Sequence, residues 1–192
     1  MNQLFSIYLR NNNRCKMVRD IETTKKPHKS INFFQESDFL MEIIFQAKMA
    51  EYAFTRLKEN ANHSDQMETW SSIQLILIAA GNVSKILWPG RKANKDRGIQ
   101  LRRLLKIQDE NPIADRKFRD HFEHYDERLE KWTENRNGYY DFAMNPSMYL
   151  FGHHNVSRGY NVDSNTLVFQ GEVLDLNVII NALKEIKAKC IK

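Results

Sequence analysis

Apolar side chains recur at three- and four-residue intervals along five stretches of this chain, with short clusters of turn-forming residues between them. That rhythm commits the chain to helices. Ser37-Asp38 predicts an N-cap, and Phe39, Ile43, Ala47, Ala50 and Phe54 then mark one face of a helix reaching about residue 58. His63-Ser64-Asp65 followed by Glu68 resembles a capping box. The second helix carries Met67, Trp70, Ile73, Leu77 and Ala80 inward and stops at Trp88-Pro89-Gly90. A shorter helix over 95–107 should bury Leu101, Leu104 and Leu105 and turn its arginines outward. Asn111-Pro112 opens a long fourth helix over 112–136, with Pro at a favoured first-turn position. Asp175 caps the last, whose inner face is Leu176, Ile180, Leu183 and Ile186.

Between the last two helices the texture changes. From 137 to 165 the chain is rich in Gly, Asn, Tyr and Ser and reads as a long loop. Turn signals around Leu167-Val168-Phe169 and Glu172-Val173-Leu174 predict a small β-hairpin before the last helix. The fold class is thus mainly α, an up-and-down four- or five-helix bundle with a β-hairpin appended. Only 7 Gly and 4 Pro occur in 192 residues, too few turn formers for a sandwich or barrel. A hydrophobic share of 42% is enough for a core. The longest uncharged stretch, 69–84, is shorter than the roughly 20 apolar residues of a membrane span. The N-terminus has neither a basic n-region nor a cleavage site of the secretory kind. Two cysteines, Cys15 and Cys190, exclude a disulfide framework and a Cys-based zinc site. Together these features lead to the expectation of a cytoplasmic protein without a membrane partner.

The formal charge is +5, and the basic residues are concentrated. Residues 1–30 hold seven basic side chains against Asp20 and Glu22, and read as a flexible basic arm ahead of one domain over 31–192; Met17 is a second candidate initiator. Residues 91–106 hold seven more against Asp96 alone. Concentrated cations suit a polyanion such as RNA, because they release condensed counterions together. Arg97, Arg102 and Arg103, joined by Arg116 on the following helix, are the candidate phosphate contacts.

The densest chemistry lies in Arg116-Lys-Phe-Arg-Asp-His-Phe-Glu-His-Tyr-Asp-Glu-Arg-Leu-Glu-Lys-Trp132. On a helical wheel Phe118, Phe122, Tyr125, Leu129 and Trp132 fall within about 40° of one line, an inward stripe, and the rest is charged or histidine. Asp120 and His124 are four residues apart, where a carboxylate can orient an imidazole.

Arg119-Asp-x-x-x-His124 resembles the motif of HEPN ribonucleases, an Arg followed by a polar residue and then by a His. The likeness extends over roughly residues 37–190, including Asn82-Val-Ser-Lys-Ile-Leu-Trp-Pro89 and Arg97-Gly-x-x-Leu-Arg-Arg-Leu-Leu105. A second frame, Arg116-x4-His121, also fits the spacing, but Lys117 follows its Arg where the family prefers Asn, Asp or His. The resemblance implies a helical homodimer with facing motif helices and metal-independent cleavage of RNA to 2′,3′-cyclic phosphate ends, with no cofactor. His124 would take the 2′-OH proton, Arg119 would grip the phosphate and Asp120 would orient the imidazole. Toxin–antitoxin and phage-defence systems use such proteins, so an antitoxin or other protein partner is a further expectation. Asp126 occupies the position where nucleotidylated HEPN toxins carry a tyrosine, which argues against that route of neutralisation. Arg119 and His124 lie about 140° apart on one helix, so two facing copies would bring one chain's Arg toward the other chain's His.

Two other readings compete. The charged helix could be a solvated salt-bridge ladder on an inactive HEPN-like module that binds RNA or a protein. A metal could use His121 and His124 with the His153-His154 pair, but no His-Glu-x-x-His pattern is present and no metal is expected.

Overall fold

A computed structural model describes residues 31–60, 65–115, 120, 124–134, 141–143, 158–169 and 172–191. Helix α1, Phe33–Glu59, begins five or six residues earlier than a cap at Ser37 or Asp38 implies. Asn32 is the cap: its Oδ1 accepts from the Gln35 amide at 2.9 Å, and Gln35 Oε1 accepts from the Asn32 amide at 3.1 Å. This reciprocal pair satisfies two donors that a helix start leaves open. Helix α2, Gln66–Leu87, is capped by Asp65, whose carboxylate accepts from the Met67 and Glu68 amides.

The two helices form an antiparallel hairpin. The buried Asn60 ties its turn, donating to Asp65 O at 2.8 Å and to Thr69 Oγ1 at 2.9 Å. Arg56 pairs with Glu68 beside the turn, and Asn82 donates to Gln46 Oε1 farther along. Small buried residues on both helices, Ala47, Ala50 and Ala53 on α1 and Ala79, Ala80 and Gly81 on α2, allow close approach.

After Trp88-Pro89, a 3₁₀ turn at Lys92–Asn94 leads into α3, Lys95–Leu105. Lys106 stops α3 in the left-handed conformation (φ 51°), and the Ile107 amide donates back to Arg102 O at 2.9 Å. Leu101 and Leu105 are buried, as their spacing implies, but Leu104 is exposed.

The long helix expected over 112–136 is not continuous. Pro112–Ala114 form a single 3₁₀ turn, with Asn111 Oδ1 accepting from the Ile113 amide, and Asp115 is extended. Helix α4 is Tyr125–Glu134. Ile113 is buried in the core, which anchors the chain there.

The segment expected as a loop contains two strands, β1, Asp141–Ala143, and β2, Arg158–Asn161. They pair in parallel, and β2 continues antiparallel into β3, Thr166–Phe169, and β4, Glu172–Asp175. The expected hairpin is β3–β4. Tyr160 and Leu167 face each other in register, both buried, and the Tyr160 hydroxyl donates to Asn165 Oδ1 at 2.8 Å.

Helix α5, Leu176–Cys190, starts at the expected cap, Asp175, which accepts from the Asn177 amide. Its buried face, Leu176, Ile180, Leu183 and Ile186, joins Ile43, Leu57, Ile73, Ile76 and Leu101 in one core. Each such side chain contributes roughly 1.5–3 kcal/mol when fully buried. Lys187 pairs with Glu51, fastening α5 to α1. The chain is therefore mainly helical with a small sheet ahead of its last helix. Among the described residues α2 alone is long and apolar enough, by length and composition, to cross a membrane; here it is the central core helix, with Trp70, Ile73, Ile76 and Leu87 buried in the fold.

Candidate functional site

His124 stands at the turn preceding α4, and its amide donates to Asp120 O at 3.1 Å. That bond ties the two motif residues together through the backbone. The imidazole is 54% exposed, and its Nδ1 lies 3.3 Å from Glu127 Oε1. A carboxylate on one ring nitrogen fixes the ring's orientation and leaves the other nitrogen to act on a solvent-borne group. Asp120, expected to be the orienting carboxylate, is half-buried and linked to His124 through its backbone carbonyl. Glu127 was not singled out by spacing, although a carboxylate three residues after a histidine is a helical neighbour. Asp126 and Glu127 occupy the first turn of α4, where negative charge complements the helix dipole. Arg116, Arg119 and His121 lie outside the described residues, as do His153 and His154. Leu129, expected on the inward stripe, is 38% exposed.

The basic helix α3 is organised differently from a row of free cations. Arg102 donates through Nη1 to Leu87 O and through Nε to Asp109 Oδ1 at 2.8 Å, and its guanidinium lies over the Trp88 ring at 5.5 Å. Arg97 donates to Lys85 O at 3.1 Å and lies 4.8 Å over the Phe39 ring. Burial lowers the pKa of Arg97, and its Nε has no hydrogen-bond partner. Both guanidinium groups therefore close the carbonyl end of α2, where unpaired C=O groups gather and cations are stabilising. Arg103 is exposed. Of these three candidate phosphate contacts, two are held by the fold and one is presented to solvent.

A half-open hollow of about 260 Å³ lies between α2, the 3₁₀ turn at Pro112, β4 and α5. Ala80, Gly81, Ile113, Leu174 and Ile179 line it together with Ser84, whose buried Oγ has no hydrogen-bond partner. His124 is not part of it. Cys190, at the end of α5, is partly packed, and burial pushes its thiol up to about 11, away from nucleophilic chemistry near neutrality. Among the described residues no three His, Cys, Asp or Glu side chains converge in a way that could hold a metal.

Comparison of the chain with models of protein families, with characterised proteins and with solved structures finds no match.

Proposed function

We propose that this chain is a metal-independent endoribonuclease of HEPN type that cleaves RNA to 2′,3′-cyclic phosphate and 5′-hydroxyl ends. The observation that carries the reading is the exposed imidazole of His124 beside the Glu127 carboxylate, in a residue whose amide is bonded to the Asp120 carbonyl. An imidazole can accept a proton near neutral pH, as attack by an RNA 2′-OH on its own phosphate requires. The proton then passes to the departing 5′-oxygen. Arg119, next to Asp120 in sequence, would supply the planar cation for the phosphorane. A facing second copy would complete the site with its own Arg119. A toxin or phage-defence role, with an antitoxin as protein partner, belongs to the same proposal.

The test is cleavage of mixed cellular RNA by the purified chain in EDTA. His124→Ala should slow product formation by about two to four orders of magnitude. Arg119→Lys should not restore what Arg119→Ala loses, since an ammonium lacks the two-pronged fork. Glu127→Gln should cost less than His124→Ala and more than Asp120→Asn if Glu127 is the orienting group. Wild-type protein that leaves every RNA intact sinks the proposal.

A second reading is favoured by the positions of Arg97 and Arg102. With both bonded to the end of α2, two of the seven basic side chains of the segment serve the fold. In that reading the chain is an inactive HEPN-like module that binds RNA or a protein, and RNA retention without cleavage is its signature.

A further inference from the structure

We infer that the outward face of α1 is a two-fold seam that receives α1 of a second copy of this chain, running antiparallel. The inner face of α1 is accounted for by the core, through Ile43, Ala47, Ala50, Phe54 and Leu57. The opposite face carries Phe34, Met41, Phe45 and Tyr52, which are 78%, 67%, 57% and 64% exposed. At about 100° per residue these four fall within roughly 20° of one line, and they span about 27 Å. A straight line of large apolar side chains facing water differs from the scattered exposure that any surface shows.

The spacing identifies the occupant. The intervals are seven, four and seven residues, so the line is symmetric about position 43. An antiparallel copy sharing that centre sets Phe34 against Tyr52 at both ends and Met41 against Phe45 at both middle positions. An isologous interface requires this reciprocity, in which residue i meets j and j meets i. An unrelated partner would not require it. The pairs are also chemically apt, since aromatic rings pack edge to face and a thioether packs against a ring. Asp38 and Lys48, both exposed, lie about 40° to either side of the line and form a polar margin.

The area approaches what a stable pair needs. Phe33, 77% exposed, flanks the start of the line, and Ile78, 55% exposed, lies on α2 one turn before Asn82, which bonds to Gln46 of α1. With about 200 Å² for a whole aromatic side chain, these six expose about 700–800 Å². A stable interface needs about 800 Å² from each partner.

This seam does not depend on the ribonuclease proposal, which places facing copies on the charged helix. A chain that used both faces would close into a tetramer. Either way, Phe45→Glu in the full chain should halve the mass measured by sedimentation at micromolar concentration. Met41→Lys should do the same. Both variants should still unfold in one cooperative transition, because neither residue contributes to the core, with a melting temperature lowered only by loss of the association. Disulfide trapping reads the direction. In a Cys15→Ser, Cys190→Ser background, mixing F34C chains with Y52C chains should yield a cross-linked pair, whereas F34C alone should not, its two copies lying about 27 Å apart. A wild-type monomer overturns the inference, whether the stripe is then covered by residues 1–30 or by a foreign protein. So does a mass that neither substitution changes, or F34C cross-linking with itself. Absence of RNA cleavage by a wild-type chain whose mass both substitutions halve would count against the ribonuclease proposal alone.

Discussion

Arg102 shows how far a residue's role can depart from its place on a helical wheel. Its side chain is 15% exposed, bonded to Leu87 O and Asp109 and stacked over Trp88. Arg103, one position on, is exposed. Removing Arg102 leaves a carbonyl at the end of α2 without its charged donor, a loss of about 1–3 kcal/mol. In a domain of this size that corresponds to about 2–4 °C in melting temperature for each kcal/mol. Arg102→Ala should therefore melt several degrees lower, whereas Arg103→Ala should stay within about 0.5 kcal/mol of wild type. Paired melts and RNA-binding measurements separate the roles: weaker affinity in Arg103→Ala at unchanged stability would mark a phosphate-binding side chain. The sequence pattern points all these arginines outward because a wheel records only polarity within one helix. The carbonyls that hold Arg97 and Arg102 belong to α2, 12 and 15 residues earlier in the chain. A usable signal was present, since basic residues soon after a Trp-Pro-Gly stop sit where a helix end attracts cations. His124 was legible from its density of charged neighbours, and its Nδ1 lies beside Glu127, a carboxylate that the spacing argument did not name.

Among the elements, α3 depends on one glycine for its position. A Cβ built on Gly98 would lie 2.5 Å from Pro89 Cδ and 2.6 Å from Leu87 O, and both neighbours are constrained by the stop of α2. In an unhindered helix Gly→Ala stabilises by roughly 0.5–1 kcal/mol. Here the overlap reverses the sign, and Gly98→Ala should destabilise by about 1–3 kcal/mol, as overpacking at a tight site does. A denaturant titration showing Gly98→Ala equal to or more stable than wild type would mean that α3 is free to move off Pro89. The helices themselves were legible wherever a cap residue and a buried stripe coincide, as at Asp65 and Asp175. Their starts were less so. Asn32 and Gln35 form a reciprocal cap that competes with Ser37-Asp38, and the earlier one begins the helix. Pro112 was a valid first-turn signal, but burial of Ile113 and the extended Asp115 limit it to a single turn. The strands β1 and β2 escaped notice because three or four residues among Gly, Asn and Tyr carry no readable period; their partners, not their composition, make them strands.

At the scale of the whole molecule, the described fold begins where Ile31 is clamped to α3. Its amide donates to Gln100 Oε1 at 3.1 Å, and its carbonyl accepts from Gln100 Nε2 at 3.3 Å. The charge-rich residues 1–30 precede that clamp, with seven basic side chains against two acidic ones. A chain starting at Ser30 would keep the Ile31 amide and its clamp, the Asn32 cap and the entire core, so its thermal melt should match that of the full chain. Its net charge would fall from +5 to zero, removing the long-range attraction that draws a polyanion toward the surface. RNA binding should weaken, and the slope of log affinity against log salt should flatten by about 0.7 for every single-strand phosphate that is no longer neutralised. With seven basic side chains removed, the change in slope has an upper limit of about 5. Binding measured across a salt series for both chains, beside their melts, checks the two halves of the prediction separately. A large drop in melting temperature would show that residues 1–29 belong to the folded unit. An unchanged slope would move the electrostatic grip on RNA onto α3 and α4, where Lys95 and Arg103 are among the cations facing solvent.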